Sequence, residues 1–80
     1  MKKIIEITSY GNYPLYVHAA YGKDGKVVSY FLLGRIRTAA PIDPKDVKRV
    51  MAIAKAQALA NGKKDVHARA IEYKPGKGAR

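Results

Sequence analysis

The sequence predicts an α+β domain, a four-stranded antiparallel sheet with elements in the order β-β-β-α-β and one helix packed on one face. Three observations carry this. Two apolar, aromatic-rich runs face each other across Gly22-Lys23-Asp24-Gly25, the composition of a hairpin turn. Asp43-Pro44 opens and Asn61-Gly62 closes a stretch whose apolar residues recur at helical spacing, with the residue types that start and stop helices. Residues 2–10 and 66–73 alternate with the period of a half-buried strand.

The first strand places Lys3, Ile5 and Ile7 on one side and Ile4, Glu6 and Thr8 on the other. Gly11-Asn12 then turns the chain, and Tyr13-Pro14 opens the hairpin. Lys23 and Asp24 suit the centre of a type I turn, and Gly25 can take the positive φ that closes a three-residue loop. Pairing Gly22 with Lys26 sets an expected register. Tyr21, Ala19, Val17 and Leu15 would then oppose Val27, Ser29, Phe31 and Leu33 on the core side. The open side would hold Ala20 with Val28, His18 with Tyr30, and Tyr16 with Leu32. Continued strictly, that phase buries Arg35 and Arg37, which unpaired would cost on the order of several kcal/mol. A bulge at Gly34 is therefore expected, turning Ile36 inward and both arginines onto the open face.

Ile42 and Val47 occupy the positions of a hydrophobic staple at the helix start. Val47, Val50, Met51, Ala54 and Ala58 form the face that packs on the sheet, while Lys45, Lys48, Arg49 and Lys55 lie opposite. In the last strand Val66, Ala68 and Ala70 point to the helix, leaving His67, Arg69, Ile71 and Tyr73 on the open side. Residues 74–80, Lys-Pro-Gly-Lys-Gly-Ala-Arg, hold no large apolar anchor and are expected to be a flexible basic tail on a single domain of residues 1–73.

Eighty residues suit one small domain. The absence of cysteine excludes disulfides and thiolate metal sites and fits a cytoplasmic protein. No apolar run approaches the roughly 20 residues of a membrane span, and Glu6, Thr8 and Ser9 interrupt the N-terminal apolar run before it resembles a signal peptide. Sixteen Lys and Arg against six Asp and Glu give a formal charge of +10. Such a field attracts polyanions.

Catalytic chemistry finds no support. Asp24 belongs to the hairpin turn, Asp43 and Asp46 to the helix start, and Asp65 to a polar approach, which leaves Glu6 and Glu72 with the role of surface ion pairs. Ser9 and Ser29 lack the surroundings of a nucleophile, and no glycine-rich turn joins a strand to the helix. His18 and His67 have no third ligand to complete a metal site. A non-enzyme is expected, without cofactor, metal or small-molecule substrate.

The aromatic and basic residues give the stronger signal. Tyr16, His18, Tyr30, Arg35, Arg37, His67, Arg69 and Tyr73 would share the open face, where rings can stack on bases and cations can reach phosphates. The expected function is nucleic-acid binding, DNA ahead of RNA, with Arg35, Arg37, Arg69, Lys63 and Lys64 on phosphates and Tyr16, His18 and Tyr30 as stacking or groove contacts. The helix should add attraction without reading bases, because Asp43 and Asp46 place negative charge at its N-terminus. The rival expectation is a protein-interaction module, a homodimer or an inhibitor of an acidic partner, using the apolar and aromatic open face.

Overall fold

A computed structural model describes residues 1–73, so the tail at 74–80 lies outside the described residues. The strands are β1 (Lys3–Thr8), β2 (Leu15–Tyr21), β3 (Val27–Leu33) and β4 (His67–Glu72), and the helix α1 (Val47–Ala60) follows one 3₁₀ turn at Pro44–Asp46. They form a single antiparallel sheet in the order β3-β2-β1-β4. This is the predicted α+β architecture.

Alternation in the strands and helical spacing in α1 meet in one core. Ile5, Ile7 and Val17 from the sheet and Val50, Ala54 and Ala58 from the helix are at most 1% exposed. Leu15, Ala19, Tyr30, Leu32, Val47, Met51, Val66 and Ala68 pack around them. Each large apolar side chain buried here contributes roughly 1.5–3 kcal/mol. The alanines at 54 and 58 keep the helix close to the sheet, so the core is thin.

The hairpin turn forms as its residues dictate. Gly22 N–H donates to the Lys26 carbonyl at 2.8 Å and Gly25 N–H to the Gly22 carbonyl at 3.0 Å. Lys26 N–H donates to Asp24 Oδ1 at 3.0 Å, and Gly25 takes a φ of 81° that a side chain would disfavour.

Beyond the turn the register departs from expectation. Tyr21 opposes Val27, but Ala20 already opposes Ser29, so Val28 is inserted without a partner. Every later pair is displaced by one residue: Ala19 faces Tyr30, His18 faces Phe31, Val17 faces Leu32 and Tyr16 faces Leu33. Tyr30 and Leu32 therefore turn to the helix, and Ser29, Phe31 and Leu33 turn away from it. The bulge exchanges Ser29, Phe31 and Leu33 for Tyr30 and Leu32 at the margin of the core. It lies at Val28, not at Gly34.

The connection from β3 to α1 takes an unexpected route. The chain leaves the sheet after Leu33, and the Arg35 carbonyl accepts a hydrogen bond from His18 Nε2 at 3.0 Å, which ties residues 34–41 to the open face as a strap. β1 and β2 pair directly at Glu6 with Tyr16 and Ile7 with Leu15. Further along, Ala40 N–H donates to the Val17 carbonyl at 2.9 Å, and Ile42 exchanges two backbone bonds with Lys3 at 2.9 and 2.7 Å. The strap thus enters a fork between β1 and β2 on its way to the helix. Ala39, Ala40 and Ile42 are buried there, and the small side chains of the alanines suit so close a passage.

Asp43 has the extended backbone of an N-cap, but its side chain makes no capping bond; its carbonyl accepts from Asp46 N–H at 2.8 Å. Ile42 and Val47 both join the core, as a staple requires. At the other end Gly62 N–H donates to Leu59 and Lys63 N–H to Ala58, at 3.0 and 3.1 Å, satisfying carbonyls of the last turn. Among the described residues no helix is long and apolar enough to cross a membrane.

Candidate nucleic-acid interface

Cross-strand pairing places Ile4, Glu6 and Thr8 of β1 on the face away from the helix, beside Ile71, Arg69 and His67 of β4 and Tyr16 of β2. His18, Phe31, Ser29 and Leu33 complete that face on β2 and β3.

Glu6 is not the surface ion pair its sequence context suggests. It is 7% exposed, and its carboxylate accepts from Arg69 Nε at 2.6 Å and from the Tyr16 hydroxyl at 3.1 Å. Glu6 stands opposite both partners in the two ladders. Burial, with the Glu6 carboxylate at the far end of its hydrogen bond, holds the Tyr16 phenol above its ordinary range against the opposing charge of Arg69. Arg69 keeps a side chain that is 70% exposed, so it can still meet an anion while neutralising Glu6.

The three aromatic residues expected to contact bases do not present their rings together. Tyr30 lies on the helix side, where it packs against the core because the Val28 bulge reversed its direction. His18 is 5% exposed; its Nε2 donates to the Arg35 carbonyl and its ring stacks on Phe31 with centroids 5.5 Å apart. It is a post for the strap, not a surface contact. Tyr16 is half-buried with its hydroxyl committed to Glu6.

The expected phosphate contacts fare differently. Arg35 and Arg37 are exposed on the strap, beyond the end of β3, and no bulge forms at Gly34. Lys64 is exposed, and Lys63 is half-buried with Nζ donating to Asn12 Oδ1 at 3.3 Å. Around the strap Phe31, Leu33 and Ile36 remain exposed.

Charge on this molecule is poorly compensated. Among the described residues the ion pairs are Arg69 with Glu6 and Arg49 with Asp46, the latter at 3.5 Å on the helix surface. Arg35, Arg37, Lys45, Lys48, Lys55 and Lys64 have no carboxylate partner among the described residues. The same residues bring no three His, Cys, Asp or Glu side chains together in the manner of metal ligands.

Sequence reasoning missed two aromatics. Tyr10 and Tyr13, in the connection from β1 to β2, are 75% and 90% exposed. Their signal was present: tyrosines flanking Gly11-Asn12 sit where a turn has no core to bury them. No known protein family, curated protein or solved structure matches the chain.

Proposed function

We propose that this protein binds nucleic acid, DNA ahead of RNA, chiefly through the phosphate backbone. The observation that carries the reading is uncompensated positive charge: a formal +10 on 80 residues, with most described cations free of carboxylate partners. Arg35 and Arg37 on the strap, with Lys63 and Lys64 after the helix, are the leading phosphate contacts. Arg69 joins them in part, since one of its nitrogens is held by Glu6. Lys45, Lys48 and Lys55 add long-range attraction from the helix. Backbone binding of this kind carries little sequence information.

The test is fluorescence anisotropy with a labelled DNA across a series of salt concentrations that starts low. The Arg35→Ala/Arg37→Ala variant should bind more weakly and lose about two units of the slope of log affinity against log salt, close to one for each phosphate contact removed. Unchanged affinity and slope would remove the strap from the interface.

A second reading rests on the exposure of Phe31, Leu33 and Ile36, at 39%, 46% and 48%. Those side chains form an apolar margin that a second copy of the chain could cover. Its mark is a mass that rises with concentration and falls back in Phe31→Ser, with DNA binding indifferent to the strap arginines.

A further inference from the structure

We infer that the end of the sheet at residues 9–14 is a stacking platform for single-stranded DNA. The inference rests on the nucleic-acid reading above and specifies the form of the ligand.

Three connections meet at this end because the strands run antiparallel. β1 finishes and β2 begins here, β3 delivers Gly34 and Arg35, and the helix returns through residues 61–66 to β4. The tyrosine loop is fastened to the returning chain at two points and braced internally at a third. Tyr10 N–H donates to the Lys64 carbonyl at 2.8 Å, Lys63 Nζ to Asn12 Oδ1 at 3.3 Å, and Asn12 Nδ2 to the Tyr10 carbonyl at 3.0 Å. On the other flank Gly34 lies against Pro14; a Cβ at Gly34 would stand 3.8 Å from the Pro14 carbonyl oxygen. The loop is thereby held between the lysines and the strap.

Two features of this arrangement fit a single strand. First, Tyr10 and Tyr13 are among the most exposed large side chains described, and neither hydroxyl has a hydrogen-bond partner among the described residues. Free aromatic faces are what unpaired bases stack upon, whereas the bases of a duplex are already stacked on one another. Second, Lys63 and Lys64 on one flank and Arg35 on the other supply the cations that track a backbone past such rings. Asn12 is spent on the Tyr10 carbonyl and on Lys63, which leaves stacking and charge as the means of binding. A partner without sequence preference follows.

The experiment compares labelled oligo-dT, oligo-U and a mixed-sequence duplex of equal length by anisotropy, using the full chain. Wild-type protein should favour oligo-dT over the duplex. Tyr13→Ala should weaken oligo-dT binding about five- to a hundred-fold, Tyr10→Ala should do likewise, and Tyr13→Phe should keep most of the affinity. The exposure of both rings predicts unchanged thermal unfolding, which verifies that the variants are folded. Preference for the duplex, tighter binding of oligo-U, or oligo-dT binding that ignores both alanine substitutions would overturn the inference. Duplex binding with no effect of the tyrosines defeats this platform alone. Failure of wild-type protein to bind any of the three defeats the nucleic-acid reading with it.

Discussion

Glu6 decides much of what the open face can do. A carboxylate on a middle strand of a basic protein is an attractive candidate for catalysis, yet here it is occupied by Arg69 and by the Tyr16 hydroxyl. The charge-assisted bond from Arg69 is what makes a buried carboxylate tolerable. Arg69→Ala leaves that carboxylate with a phenol as its remaining partner and should cost about 1–3 kcal/mol, read from the midpoint of urea unfolding. Tyr16 adds a pH signature. Its phenol is held above the ordinary value in the folded state, so its contribution to stability is complete below the unfolded tyrosine value of about 10 and is lost as pH rises through the folded one. Urea midpoints measured at increasing alkaline pH should fall more steeply for wild type than for Tyr16→Phe. None of this was legible residue by residue. Glu6 sits between Ile5 and Ile7 in a basic chain, and only the pairing of β1 with both β2 and β4 reveals that Arg69 and Tyr16 converge on it.

At the scale of elements, β3 separates what local chemistry can predict from what it cannot. Its turn was legible because Gly22, Asp24 and Gly25 specify their own hydrogen bonds. The helix face was legible too, since Val50, Ala54 and Ala58 fall one turn apart and all reach the core. The Val28 bulge had no local signature: Val-Val-Ser-Tyr-Phe-Leu-Leu reads as a good strand in either phase. What selects the phase is packing against α1, with Tyr30 and Leu32 inside. That one displacement removed Tyr30 from the predicted interface. The route of the strap through the fork was likewise hidden, because it depends on Val17 and Lys3 as distant partners of Ala40 and Ile42. β3 also forms an uncharged edge of the sheet, a template for unwanted strand pairing. Gln57 covers part of it by donating Nε2 to the Tyr30 carbonyl at 2.8 Å. Gln57→Ala should leave the helix intact, since alanine favours it, yet raise light scattering as the protein is concentrated.

At the scale of the whole molecule, composition was the most durable guide. The thin core leaves most lysines and arginines on the surface, and few of them meet a carboxylate among the described residues. Of the cations expected at the interface, Arg35, Arg37, Lys64 and Arg69 are exposed and Lys63 is half-buried, whereas His18 is buried, Tyr16 and Tyr30 are half-buried, and Tyr10 and Tyr13 stand exposed instead. Charge could be counted in the sequence, but aromatic exposure depends on which side chains the fold fails to cover. The central claim is that this excess charge binds a polyanion, and its most direct measurement is the affinity of wild-type protein for DNA across a series of salt concentrations. The account predicts a straight line of log affinity against log salt with a steep negative slope, near −0.9 for each duplex phosphate neutralised and about −0.7 for a single strand. A flat line, or no binding at low salt, would contradict it.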